Sequence, residues 1–196
     1  MKKIFPLLLF IIGAPQLFAQ HGSSFGLTYS ISFPMGDLHD YITKTSFRGV
    51  EMEYNYHLKP SMSLGIETGW NTFYERVEKK TYTDGTASIT GVQYRYTNAV
   101  PILATGRYIK AGSGKAEPFV GLGIGTLYVD RATDFGLYRI SRDAWQFCVR
   151  PELGVILKSG RGVAGLISAR YYSAFDTDNL SGQPYLSLNI GFLWGE

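Results

Sequence analysis

The stretch "SFGLTYSISFP", Ser24–Pro34, decides how the chain folds. Phe25, Leu27, Tyr29, Ile31 and Phe33 are large and apolar, while Ser24, Gly26, Thr28, Ser30 and Ser32 between them are small. Side chains on a β-strand alternate between its two faces, so this period of two describes a strand with one greasy and one wet face. Seven further runs share the pattern: Phe47–Leu58, Met62–Tyr74, Val92–Tyr108, Pro118–Val129, Ala144–Lys158, Val163–Phe175 and Tyr185–Trp194. Pro101 and Pro151 lie inside two of them and each removes a ladder donor, a mark against a simple strand there. No long helical period competes. "MGDLHDYI", Met35–Ile42, is expected to form one short helical turn.

The connections alternate in length. Lys59–Ser61, Lys110–Glu117 and Ser159–Gly162 are short or rich in turn formers. Pro34–Ser46, Glu75–Gly91, Asp130–Asp143 and Asp176–Pro184 are longer. Short turns at one end and long loops at the other describe an up-and-down outer-membrane barrel. The expected fold is thus all-β: an eight-stranded antiparallel transmembrane β-barrel with short periplasmic turns and longer extracellular loops.

The side chains choose between a soluble barrel and a membrane one. The small face carries glycine, serine and a few ionisable residues: Glu51, Glu53, Glu67, Arg95, Arg107, Arg150, Glu152 and Arg170. A narrow eight-stranded interior has room for few large side chains, so this face suits the lumen and the bulky face suits lipid. Trp70, Tyr94, Tyr96, Tyr128, Trp145 and Tyr171 near the loop end suit an interface girdle, as do Phe25, Tyr108, Phe192 and Trp194 near the turn end.

The first residues, "MKKIFPLLLFIIGAPQLFAQ", read as a secretory signal peptide over 1–19, with the barrel domain over 20–196. Lys2 and Lys3 open it, and Ile4–Ile12 is too short to span a bilayer as a helix. Removing those two lysines from the 19 Lys and Arg leaves 17 against 16 Asp and Glu, with no basic stripe. Nucleic acid is therefore not an expected partner. Cys148 is the one cysteine, so no internal disulfide is expected.

Four further segments carry a likeness to a known family: "TNAVPILATGRYI" (Thr97–Ile109), "PFVGLGIGTLYV" (Pro118–Val129), "ISARYYSAF" (Ile167–Phe175) and "PYLSLNIGFLWGE" (Pro184–Glu196). In this order the chain resembles the small outer-membrane β-barrel proteins of Bacteroidetes type, porin-family or PorT-like, from about Phe25 to Trp194. The resemblance implies an eight-stranded barrel in the outer membrane and no single shared activity.

Centring the second and third strands on Pro60 sets Glu53 opposite Glu67, and centring the sixth and seventh near Gly160 sets Arg150 opposite Arg170. Acids on one wall would then face arginines on the other, with Glu51 near the height of Arg150. The expectation is an ion-pair plug that closes the lumen.

Catalytic chemistry finds little support. Glu53 and Glu67 could pair for acid–base work, but no cleft or nucleophile adjoins them. His21, His39 and His57 lack metal-ligand spacing, and Ser173 has no adjoining histidine. "GLGIG", Gly121–Gly125, resembles a phosphate loop but continues a strand, where it makes lumen room. "DTDN", Asp176–Asn179, offers oxygen ligands without the rest of a calcium loop. No catalytic residue, metal or cofactor is expected. The expected function is that of a non-enzymatic outer-membrane barrel with a structural or loop-mediated binding role. Its partners would be outer-membrane lipid and a ligand or protein at loops 75–91 and 130–143. A narrow channel, a lipid-modifying enzyme and a soluble periplasmic lipocalin-like binder are the alternatives.

Overall fold

A computed structural model describes residues 22–84, 87–110, 114–136, 138–159 and 162–195, without the side chains of 79–90. The expected signal peptide, 1–19, lies outside the described residues. The strands are β1 (Ser23–Pro34), β2 (Ser46–Lys59), β3 (Met62–Asp84), β4 (Ala87–Ile109), β5 (Ala116–Phe135), β6 (Tyr138–Lys158), β7 (Val163–Ala174) and β8 (Tyr185–Gly195), with one helix, α1 (Gly36–Tyr41), after β1. Each strand pairs antiparallel with the next, and β1 pairs with β8 to close the ring. Closure leaves no unpaired edge, the condition for a sheet to sit in lipid.

The apolar face points outward. Ile66 is 66% exposed, Leu153 64% and Ile190 60%, whereas Arg150 and Arg170 are 0% exposed. A soluble lipocalin-like barrel would have the opposite arrangement, so that alternative is set aside. Aromatic pairs mark both rims of the apolar belt. Tyr128 and Trp145, neighbours in the β5–β6 register, lie 5.0 Å apart between ring centroids, and Phe25 lies 6.2 Å from Trp194 on the turn side.

Four strands run further than the alternation suggests. The β3–β4 ladder continues to Asp84↔Ala87, and β5–β6 to Phe135↔Tyr138. The segments expected to be loops 75–91 and 130–143 are thus largely β-hairpins. Beyond the membrane both faces of a hairpin meet water, so the greasy–small alternation fades although the ladder persists.

Both prolines are accommodated in the same way. The β3–β4 ladder is interrupted between Thr68↔Ile102 and Asn71↔Ala99, around Pro101, while β4–β5 runs through it. The β6–β7 ladder is interrupted between Val149↔Ser173 and Glu152↔Arg170, around Pro151, while β5–β6 runs through it. A proline lacks one N–H, which faces only one neighbouring strand, so only one ladder is disturbed.

The β2–β3 register sets Glu53 opposite Glu67, as the turn at Pro60 suggests. The β6–β7 register differs by two residues. Arg170 pairs with Glu152, not with Arg150. The β6–β7 pairs are centred one position further along the chain than Gly160. Because the shift is even, every side chain keeps its face.

Candidate functional site: the filled lumen and the two mouths

Seven charged side chains from five strands meet on the barrel axis. Glu51 and Glu53 come from β2, Glu67 from β3, Arg107 from β4, Arg150 and Glu152 from β6, and Arg170 from β7. Each is at most 5% exposed. Arg107 holds Glu53 through two parallel bonds, Nη1–Oε1 at 2.5 Å and Nη2–Oε2 at 2.6 Å. Such fork-to-carboxylate geometry is among the stronger charged contacts. Arg150 donates from Nη2 to Glu67 Oε2 at 2.6 Å and from Nη1 to Glu152 Oε2 at 2.5 Å. Arg170 donates to Glu51, to Glu53 Oε2 at 2.8 Å and to Glu152 Oε1 at 2.8 Å, and its Nη1 lies 3.3 Å from Glu67 Oε2.

Glu152 touches all three arginines, the third through Arg107 Nη2 at 3.0 Å. The like charges Glu53 and Glu67, adjacent across a ladder, are both bound by Arg170. Such a pair destabilises a sheet unless a cation bridges it. Four carboxylates face three guanidiniums, and neutral donors complete the set. Tyr172 Oη donates to Glu67 Oε1 at 2.9 Å, Asn55 Nδ2 to Glu53 Oε1 at 3.0 Å, and Asn71 Nδ2 to Glu51 Oε1 at 3.4 Å.

The room for this cluster comes from glycine. Gly121 pairs with Arg107 on one side and Glu152 on the other. A Cβ there would stand 3.1 Å from Arg107 Cγ and 3.2 Å from Glu152 Oε2. At Gly123 it would stand 3.1 Å from Arg150 Nε. The wall at β5 is left bare so that side chains from the other strands can fill the axis.

Arg95 does not join the cluster, although it shares the inward face. It lies nearer the loop end, where Nη1 donates to the Tyr41 carbonyl at 2.7 Å and Nε to Gln93 Oε1 at 3.0 Å.

Two apolar layers flank the charges. Toward the turns, Ile109, Phe119, Ile156, Leu166 and Leu193 form one buried cluster. Toward the loops, Phe73, Tyr172 and Tyr185 pack with Leu38, Ile42 and Leu180. The last three come from outside the strands. A six-residue helix is too short to hold itself, and α1 is seated by its buried Leu38 and by the Met35 N–H, which donates to the Pro184 carbonyl at 3.0 Å. Gln146 Nε2 donates to the carbonyls of Leu180 and Ser181 at 3.2 and 2.9 Å, which fixes the 176–184 segment over the axis. No strand periodicity announces this lid. The one sequence signal is an apolar pair, Leu38 and Ile42, at helical spacing.

A cavity of about 690 Å³ opens at the turn end, beside His57, Lys59, Glu117 and Lys158. A second, of about 440 Å³, opens at the loop end, beside Tyr41, Arg131 and Arg142. Arg131 and Arg142 continue the inward parity of Val129 and Ala144. Extending the alternation of β5 and β6 past the girdle would have found them. Among the described residues, no three His, Cys, Asp or Glu side chains are grouped to hold a metal ion.

An apolar exterior around a charged, filled axis defines a transmembrane β-barrel. No protein-family model matches the chain, and no curated protein matches its sequence. Solved structures do share the fold. The chain is similar to Neisserial surface protein A (NspA), with 10% identity over 88% of this chain and 95% of that one, TM-score 0.56. It is similar to Ail, the attachment invasion locus protein of Yersinia pestis, with 11% identity over 90% and 99%, TM-score 0.54. It is also similar to a major outer membrane protein from Thermus thermophilus, with 10% identity over 89% and 99%, TM-score 0.51. The fold is therefore that of the small eight-stranded barrels of the outer membrane, and the apolar belt is the surface such a location requires.

Proposed function

We propose that this chain is a non-enzymatic integral outer-membrane barrel with a sealed lumen, which presents its outer rim to a ligand or partner. The observation that carries the sealed lumen is the seven-residue ion cluster held between two apolar layers. An ion crossing the barrel would have to part these pairs in a medium of low dielectric, where separated charges are costly. Glu51, Glu53, Glu67 and Glu152 are all engaged by arginine, which supports the non-enzymatic reading.

The rim reading rests on the β3–β4 and β5–β6 hairpins, which continue past the girdle. Ail, of the same fold, has been solved with the heparin analogue sucrose octasulfate, which supports ligand binding as a role for such a scaffold. Placement among the porin-family or PorT-like barrels of Bacteroidetes type belongs to this proposal, and the four quoted motifs support it. Planar-bilayer recording of the refolded protein tests the sealed lumen. The expected trace shows no stable conductance steps. Stable, large steps would favour the channel alternative and overturn the reading.

A further inference from the structure

The cavity at the loop end is lined by two arginines, Arg131 and Arg142, that form no ion pair among the described residues. Two donors of Arg131, Nε and Nη2, are buried without a hydrogen-bond partner. Its Cζ lies 4.2 Å from the Tyr41 ring centroid, and Arg95 Cζ lies 5.1 Å from the same ring. Tyr41 is itself fixed, since its hydroxyl donates to the Ala132 carbonyl at 2.9 Å and lies 2.6 Å from Thr133 Oγ1. Arg142 lines the same cavity and is exposed. Among the described residues neither Arg131 nor Arg142 forms an ion pair. At this end of the β5–β6 hairpin Arg139 lies 3.7 Å from Asp134.

Buried donors without acceptors are uncommon in folded proteins and cost stability. Three guanidiniums crowded at one mouth also repel one another. Burial pushes the Arg131 guanidinium below its ordinary value; Tyr41 and Asp37 act against that, and Arg142 and Arg95 add to it. Asp37 on α1 attracts Arg131 without pairing with it, Asp178 lines the cavity, and Asp134 near Tyr41 pairs with Arg139. Among the described residues none of the three forms an ion pair with Arg131 or Arg142, so the cluster has no directly bound anion. Guanidinium forks match the oxygens of phosphate and sulfate. The remaining lining includes Asn179 and Ser181, groups suited to sugar hydroxyls, and a volume of about 440 Å³ accommodates one sugar ring with its ester.

We propose that the outer mouth of this barrel is a binding site for a phosphate or sulfate ester carried on a sugar, with Arg131 and Arg142 as its cationic ligands. The inference rests on the reading of the outer rim as a ligand-binding surface and names the chemistry of the ligand. A sugar ester could be free in the medium or could belong to a lipid of the outer leaflet. The inward aim of both arginines favours the free form.

The test uses the full chain folded in nanodiscs and calorimetric titration with glucose 6-phosphate, glucose 6-sulfate and glucose. A parallel arm adds lipopolysaccharide to the nanodisc. Saturable binding of either ester and none of glucose is expected. Arg131→Gln and Arg142→Gln should each weaken it at least tenfold, while Arg139→Gln leaves it unchanged. Heat-modifiable gel mobility shows that each variant is folded. Lipopolysaccharide that competes with the soluble ester would place the same site on a lipid headgroup. Esters that bind no better than glucose would overturn the inference, as would an equal loss in Arg139→Gln, which would mean diffuse attraction. The outcome is separable from the sealed-lumen reading. A conducting barrel that still binds the ester loses that reading and keeps the site, and a sealed barrel that binds none does the reverse.

Discussion

Arg170 stands directly across the β6–β7 ladder from Glu152, and its Nε donates to Glu152 Oε1 at 2.8 Å. Glu152 is also bound by Arg107 and Arg150. One carboxylate thus serves all three cations of the lumen.

Glu152→Gln removes the one carboxylate that contacts all three buried guanidiniums. Removing one partner of a buried ionic network costs about 3–5 kcal/mol. The urea midpoint for folding into lipid vesicles should fall by a corresponding amount. By contrast Arg139→Ala, which removes a 3.7 Å pair to Asp134 from a side chain 62% exposed, should change stability by no more than about 1 kcal/mol. Equal effects from the two variants would contradict the central role of Glu152.

Gly123→Val drives a branched side chain against Arg150 Nε and Leu103 Cδ1, which would already stand 3.1 and 3.2 Å from a bare Cβ. Overpacking of this kind costs about 1–3 kcal/mol. The heat-modifiable fraction on a detergent gel should drop. Gly106→Val is the control, because its Cβ would meet only the Leu64 side chain, at 3.5 Å on the lipid face.

Leu38→Asp places a charge in the apolar layer under α1, where Leu38 is fully buried. The helix should lift, and the segment between β1 and β2 should become sensitive to protease. Conductance should stay absent, because the ion cluster below is untouched. Opening by this change alone would show that the lid is the seal.

Tyr41 supplies a pH-dependent outcome outside the membrane. Burial raises its phenol above the ordinary value, against the lowering effect of Thr133, Arg131 and Arg95. The unseated loop ionises first, near pH 10, while the seated tyrosine stays protonated. Seating is therefore fully stable below that range and is lost as pH rises through the seated value. Protease sensitivity of the α1 segment should rise with pH above about 10. Tyr41→Phe should abolish that rise.

The faces of the strands were legible because lipid and a narrow lumen demand opposite side chains at every second position. Leu27, Leu122 and Leu188 lie outside and Glu53 and Arg150 inside for that reason. Heights along the axis were harder to read. The compact Lys59–Ser61 turn set the β2–β3 register correctly, whereas nothing in 159–162 marks the centre of its turn. Arg95 has the parity of Arg107, but it stands twelve positions nearer the loop end on the same strand and belongs to the mouth. The lid was illegible to strand periodicity because Leu38, Ile42 and Leu180 sit on a short helix and an irregular segment. Arg131 and Arg142 were missed because the strands were expected to stop at the girdle.

The bare glycine wall of β5 bears on how the molecule comes together. The charges that meet in front of it belong to strands from both halves of the chain, β2 to β4 and β6 to β7. The pairs across the axis, Arg150–Glu67 and Arg170–Glu51, can form only when the sheet has curled round on itself. Until then each remains hydrated, and the unfinished sheet has no dry interior to resist water. Joining β1 to β8 is thus the event that dehydrates the axis, so the barrel should mature in one late, all-or-none step.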